Sequence, residues 1–151
     1  MSVTIRPATL DDAPVICEFN RQLALESEDK ALDPVVLGAG VAALLNDPAR
    51  GRYFLAQKGD QVVGQIMFTT EWSDWRNAWM WWIESVYVRQ DSRRQGVFRA
   101  LYEHVYRTAR ADPTVVGLRL YVEKNNQAAQ QTYLSLGMSP MNFHLFHKFP
   151  L

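Results

Sequence analysis

The 151-residue sequence predicts a mixed α/β domain built around one central sheet. Three observations lead there. Short runs rich in Val, Ile, Tyr, Phe and Trp recur from the start of the chain to its end. Between them lie segments whose apolar residues repeat at helical spacing. No repeat, low-complexity tract or Pro/Gly/Ser-rich linker interrupts the series, so residues 1–151 read as one domain of ordinary size.

The elements follow in order. Residues 2–6 alternate into a short strand. Thr9 with Asp12 three positions on makes a capping box, and Val15, Ile16, Phe19, Leu23 and Leu25 form the apolar stripe of a first helix. Asp33-Pro34 opens a second helix, with Pro at its first position, running to about Leu45 and weakened by Gly38 and Gly40. A hairpin comes next: residues 52–57, a turn at Lys58-Gly59-Asp60, and a return over 61–69. Residues 73–77 connect to a long aromatic strand over 78–89. Polar residues 90–95 lead into a helix over about 96–110, with Val97, Leu101 and Val105 stacked at i, i+4 and i+8 and Asp112-Pro113 as its stop. Residues 115–123 form another strand. Asn125-Asn126 caps a helix through Leu136, with Gly137 where a left-handed cap belongs. Residues 141–149 close the sheet.

Charge and composition remove several functions. Sixteen Lys and Arg balance sixteen Asp and Glu, so no long-range field draws the chain to nucleic acid or an anionic membrane, and neither is an expected partner. Cys17 is the only cysteine, which rules out an intrachain disulfide and a Cys-based zinc site. Cys17 reads as a small buried hydrophobe within a helix stripe. His104, His144 and His147 lack metal-ligand spacing, so no metal is expected, and the last two are expected to make structural hydrogen bonds on the terminal strand. The longest apolar stretch, 78–83, is far short of the about 20 residues that span a bilayer, and no signal peptide is apparent. A soluble, cytoplasmic protein is expected.

Two segments carry chemistry. The first runs from Val86-Tyr87-Val88 through Arg93-Arg94-Gln95-Gly96-Val97-Phe98-Arg99. A strand feeding a basic, Gly-containing loop that opens a helix suits a phosphorylated ligand. The first helical N–H groups have no intrahelical partner, Gly96 permits close approach, and the arginines add charge-assisted contacts. A solvated basic loop is the plain alternative. Neither a Walker loop nor a dinucleotide fingerprint is present. The second segment is the strand and helix over 118–137, in which Asn126, Ala129, Tyr133 and Gly137 fill the pattern N-x-x-A-x-x-x-Y-x-x-x-G.

That pattern resembles the C-terminal motif of the GNAT superfamily of acetyl-CoA-dependent N-acetyltransferases. Residues 93–97 are similar to most of its pyrophosphate motif, [Q/R]-x-x-G-x-[G/A], with Phe98 in the position that is usually small. The resemblance implies a central mixed, mostly antiparallel twisted sheet of about six to seven strands flanked by about four helices. It implies acetyl-CoA as cosubstrate, held by the backbone of Val86, Tyr87 and Val88, by the loop from Arg93 to Arg99, and by Asn126, Ala129 and Tyr133, whose hydroxyl would face the cofactor sulfur. It further implies direct attack of an amine on the thioester. Phe68-Thr69-Thr70-Glu71-Trp72, then Ile83-Glu84-Ser85-Val86-Tyr87-Val88, resembles the spermidine/spermine and thialysine acetyltransferase branch, in which an acidic residue falls where Glu84 stands.

Such a reaction needs a proton acceptor for an ammonium of pKa about 10.4 and a proton donor for the thiolate. Glu84, a carboxylate in an apolar strand, is the candidate base, directly or through water. Tyr133, whose phenol keeps its proton at neutral pH, is the candidate acid. A strand carboxylate paired with arginine and a core aromatic are their structural alternatives. The expected partner is a small-molecule amine, polyamine or diamino-acid-like, and a homodimer is expected. A non-catalytic acyl-CoA sensor and an enzyme acting on protein lysines or N-termini remain the alternatives. The tryptophans at 72, 75, 79, 81 and 82 suit core filling or an interface, with one or two rings open to cation–π contact. Glu26, Glu28 and Asp29 read as a solvated acidic turn.

Overall fold

The computed structural model describes residues 2–151, with Met1 outside them. Residues as far as Leu120 make one compact unit and Tyr121–Leu151 a second. All five strands belong to the first: β1 (Thr4–Pro7), β2 (Arg52–Lys58), β3 (Gln61–Ser73), β4 (Ala78–Val88) and β5 (Val115–Leu120). They lie side by side in chain order. The first four pair antiparallel. β5 pairs parallel to β4, which obliges the chain to cross over through a helix, α3 (Val97–Ala111). The mixed, mostly antiparallel sheet is as expected, with five strands rather than six or seven.

The two faces of this sheet have different covers. α1 (Ala13–Glu28) and α2 (Pro34–Asn46) take one face, where Ile16, Val41, Tyr53, Leu55 and Met67 are buried together. Asp33 holds the start of α2 by accepting from the N–H groups of Val35 and Val36 at 2.8 and 3.2 Å. Despite Gly38 and Gly40, α2 runs unbroken to Asn46. Asp12 accepts from the Thr9 N–H at 2.7 Å and takes two bonds from Arg6, so the expected capping residues open a single tight turn just before α1. On the other face, the α3 stripe of Val97, Leu101 and Val105 is buried, as its spacing predicts. Gly64 on β3 makes this possible: a Cβ there would stand 3.1 Å from both the Tyr87 carbonyl and Val97. Trp81 stacks on Phe68 at 3.9 Å within this layer.

In the second unit, α4 (Gln127–Ser135) begins where Asn126 accepts from the Ala129 N–H at 3.1 Å. Gly137 follows it with φ 87°. The predicted strand over 115–123 stops at Leu120, and the predicted terminal strand over 141–149 does not form. Phe143, Leu145, Phe146 and Phe149 are exposed instead. An alternating run becomes a strand only where a ladder partner meets its N–H and C=O groups, and the only regular element in 121–151 is a helix. His144 and His147 therefore have no terminal strand to brace, and the His147 ring lies against Phe149. Among the described residues no helix is long and apolar enough to cross a membrane.

Candidate active site

β4 is regular except at one point. Gln65 faces Tyr87 and Met67 faces Glu84, so two steps along β3 match three along β4. The extra residue is a β-bulge at Ser85-Val86, and Ser85 takes φ 51°, a left-handed value that a non-Gly residue seldom adopts. The bulge resets the alternation of side chains. Glu84 and Tyr87, three apart, share the face covered by α1, where regular pleating would put them on opposite faces.

On that face Tyr87 packs its ring on Phe19 of α1 at 5.2 Å. Glu84 is half-buried and accepts from the Thr69 hydroxyl at 3.2 Å. Tyr53, 5 % exposed, stands close enough that the Glu84 charge helps push its phenol up, after burial as the main cause. Asn20 donates to the Tyr53 hydroxyl at 2.9 Å, and the Gln65 amide donates at 3.0 Å to both the Asn20 side-chain oxygen and the Ser85 carbonyl. Farther along, Glu71 accepts from the Trp82 indole at 2.6 Å, while the Arg119 guanidinium lies over the Trp82 ring and 3.8 Å from Glu71. An open cleft of roughly 560 Å³ lies where α1 passes the end of β4, bordered by Phe19, Gln22, Tyr87 and Arg89.

Asn20, Tyr53 and Gln65 have no part in the sequence-based expectation of the site, and Thr69 enters it only within the run 68–72. Gln65 alone gave a signal, as a lone amide inside an apolar strand run. The tryptophans divide: Trp81 is core, Trp72 meets Trp79 edge-on at 4.9 Å, and Trp75 is 91 % exposed. Cys17 packs beside the α1–α2 core, and burial pushes its thiol up, away from the reactive thiolate.

β4 also changes its pairing. The ladder with β5 ends at Ile83 and Leu120, while β4 runs on to Val88. The β5-side edge of residues 84–88, including Val86, Tyr87 and Val88, thus lies beyond that ladder. The loop after it turns through two left-handed residues, Arg94 at φ 62° and Gly96 at φ 83°. No side chain caps the start of α3, and a Cβ on Gly96 would meet only open space. The first-turn N–H groups of Val97, Phe98 and Arg99 accordingly form an anion-ready end. Phe98 leans along the helix with its ring 6.2 Å from Tyr102.

The three arginines differ. Arg94 and Arg99 are exposed, the latter 3.8 Å from Glu103. Arg93 donates to both oxygens of Glu26 at 3.0 Å and to the Val88 carbonyl at 2.8 Å, with its guanidinium over Tyr87. Burial pushes the Glu26 carboxyl up, but bonds from Arg93 and Gln90 outweigh it and hold the group below its usual range. Glu26, exposed as expected, thus also ties the end of α1 to the loop. Gln95 donates to the Asp91 carbonyl at 3.2 Å and accepts from Lys58 at 3.3 Å. In the second unit, Asn126 and Ala129 make the α4 cap, and burial pushes the Tyr133 phenol up, so it stays protonated.

The model of the acetyltransferase (GNAT) family matches residues 17–138. The chain belongs to that family. Membership makes it an acetyl-CoA-dependent N-acetyltransferase. This GNAT enzyme is similar over its whole length to a possible acetyltransferase from Clostridium difficile 630, with 44 % identity, a TM-score of 0.93 and 99 % of that chain covered. Two more distant structures share the fold. One is a probable acetyltransferase at 21 % identity and TM-score 0.84, covering 98 % of this chain and 97 % of that one. The other is a ribosomal-protein-alanine N-acetyltransferase from Brucella melitensis biovar Abortus 2308 at 17 % identity and TM-score 0.80, covering 99 % and 100 %. No curated protein sequence matches the chain.

Proposed function

We propose that the protein transfers the acetyl group of acetyl-CoA directly to the primary amine of a small molecule. The observation that carries this reading is the Glu84 carboxylate beside Thr69 on the α1 face, immediately before the bulge in β4 and beyond the end of the β5 ladder. Around it, Glu71 and the Trp82 ring offer an acid and an aromatic face to a cation, with Arg119 against them. Two carboxylates to one guanidinium favour a positively charged acceptor. Together with the likeness of residues 68–72 and 83–88 to the spermidine/spermine and thialysine branch, this favours a polyamine or a diamino acid.

The residues present fit acetyl-CoA. The edge of residues 86–88 has the extended form that pairs with an amide-bearing arm, and the uncapped start of α3, with Arg94 and Arg99, suits a pyrophosphate. Acetyl-CoA supplies the activated thioester. Glu84 takes the proton that the ammonium must lose before its nitrogen can attack. Backbone N–H groups of the open β4 edge stabilise the negative charge that grows on the carbonyl oxygen. As the nitrogen–carbon bond forms and the C–S bond breaks, the Tyr133 hydroxyl would give its proton to the departing sulfur; the second proton of the acylated nitrogen passes to solvent, which reprotonates Tyr133. The homodimer remains part of this proposal.

The test is acetyl-CoA-dependent thiol release across polyamines, lysine analogues, aminoglycosides, amino acids and short peptides. Turnover confined to small cationic amines supports the reading. Turnover on peptides alone moves the acceptor to protein, and tight acetyl-CoA binding without turnover on any amine leaves a sensor.

A further inference from the structure

The bulge that follows Glu84 is braced by side chains of the neighbouring elements. Ser85 and Val86 have no register partner on β3, so the Ser85 carbonyl is released from the ladder. It accepts from the Gln65 side-chain amide at 3.0 Å. The same amide nitrogen bonds Asn20, which in turn bonds Tyr53, so α1, β2 and β3 all converge on the bulge. Gln65 is 0 % exposed, yet its Oε1 has no hydrogen-bond partner. A buried amide with an unpartnered oxygen is unfavourable against a well-packed apolar side chain of the same size. Packing therefore does not explain a glutamine here, whereas its two N–H bonds do. One of them ends on the carbonyl of a non-Gly residue at φ 51°, a conformation that persists only when its surroundings enforce it.

We propose that Gln65 is a positioning residue for acetyl transfer: its side-chain amide holds Ser85 in the left-handed conformation and so sets the direction of the β4 edge at Val86–Val88 relative to Glu84. Gln65 acts through Ser85 and does not touch the reacting atoms. The proposal rests on the reading of Glu84 and β4 given above.

The test is a double-mutant cycle of Gln65→Met and Ser85→Gly. Methionine keeps the length and volume of glutamine but donates nothing. Glycine takes positive φ freely and has no need of the pin. Four proteins are compared: wild type, the two single variants and the double variant. Each is assayed for kcat and KM of thiol release and for amide hydrogen exchange over residues 83–88. The expected result is a loss of at least tenfold in kcat for Gln65→Met, with KM for acetyl-CoA within threefold and faster exchange at the bulge. In the Ser85→Gly background the same substitution should cost less than threefold.

An equal loss of kcat in both backgrounds would make Gln65 a merely structural residue and overturn the proposal. Unchanged kcat or unchanged exchange in Gln65→Met would overturn it too. Failure of the functional reading looks different. Wild type would then release no thiol with any amine, while exchange at residues 83–88 would still decide whether Gln65 holds the bulge.

Discussion

Replacing Glu84 by glutamine isolates the proton-transfer role. The side chain keeps its shape and an oxygen that can accept from Thr69 at the present 3.2 Å, so the fold around it has little reason to change. What is lost is the capacity to take a proton. At pH 7 an alkyl amine of pKa about 10.4 is free base in only about one molecule in 2,500. Removing a positioned base from such a reaction costs about 10²–10⁴ in rate, or roughly 3–5 kcal/mol of transition-state stabilisation. The variant must wait for amine that solvent has already deprotonated. Its kcat/KM should therefore rise tenfold per pH unit, and by pH 9.4, where about one amine in eleven is free, most of the deficit should be recovered. The assay is initial-rate thiol release from pH 6.5 to 9.5 for wild type and Glu84→Gln, with thermal unfolding of both. Activity of the variant within threefold of wild type at pH 7, or pH profiles that run parallel, would refute Glu84 as the base.

Other consequences follow from the same structure. Tyr133→Phe should lower kcat by about 10²-fold with little change in KM for acetyl-CoA, and the deficit should shrink with an acetyl thioester of a more acidic thiol, which leaves without help. The bond from Arg6 is the main cause that holds the Asp12 carboxyl below its usual range. Its contribution, about 1 kcal/mol for a partly exposed pair, is present above about pH 4 and fades as pH falls through the lowered pKa. Urea unfolding should then find Asp12→Asn less stable than wild type at pH 7 and the two converging near pH 3. Leu101 is 0 % exposed beneath α3, so Leu101→Ala should cost about 3 kcal/mol and lower Tm by roughly 6–12 °C by circular dichroism.

Much of the fold was legible because its signals are local. Asp33-Pro34, Asn126 and the stripe of Val97, Leu101 and Val105 specify their helices through capping and periodicity, and each stands where the spacing puts it. Residues 141–149 show the limit of the same method. They are rich in aromatic and apolar residues, but a strand is a relation between two segments, and a pattern in one segment says nothing about the other. The loop arginines show a second limit. Arg93, Arg94 and Arg99 are equivalent as letters, yet Arg93 alone is tied to Glu26, 67 positions earlier in the chain. No window of sequence contains both partners.

The bulge at Ser85 is the least legible feature and the one that matters most for function. Strand periodicity assigns Glu84 and Tyr87 to opposite faces, and nothing in Glu84-Ser85-Val86-Tyr87 announces an extra residue, since the left-handed position holds serine rather than glycine. The cause lies on neighbouring elements, in the Gln65 amide that donates to the displaced carbonyl and the Asn20 side chain that accepts from Gln65. Its effect is to divide β4 between two tasks. Up to Ile83 the strand is paired on both sides and anchors Trp81 in the core. Beyond Ile83 it keeps β3 and passes the end of the β5 ladder, and after Glu84 the bulge brings Tyr87 back to the α1 face. A regular strand there would leave Glu84 beside Thr69 but turn the Tyr87 ring away from Phe19 and the α1 face. One inserted residue thus joins a backbone edge suited to an acyl donor to a side chain suited to an amine, which is why the energetics of Ser85 and Gln65 bear directly on catalysis.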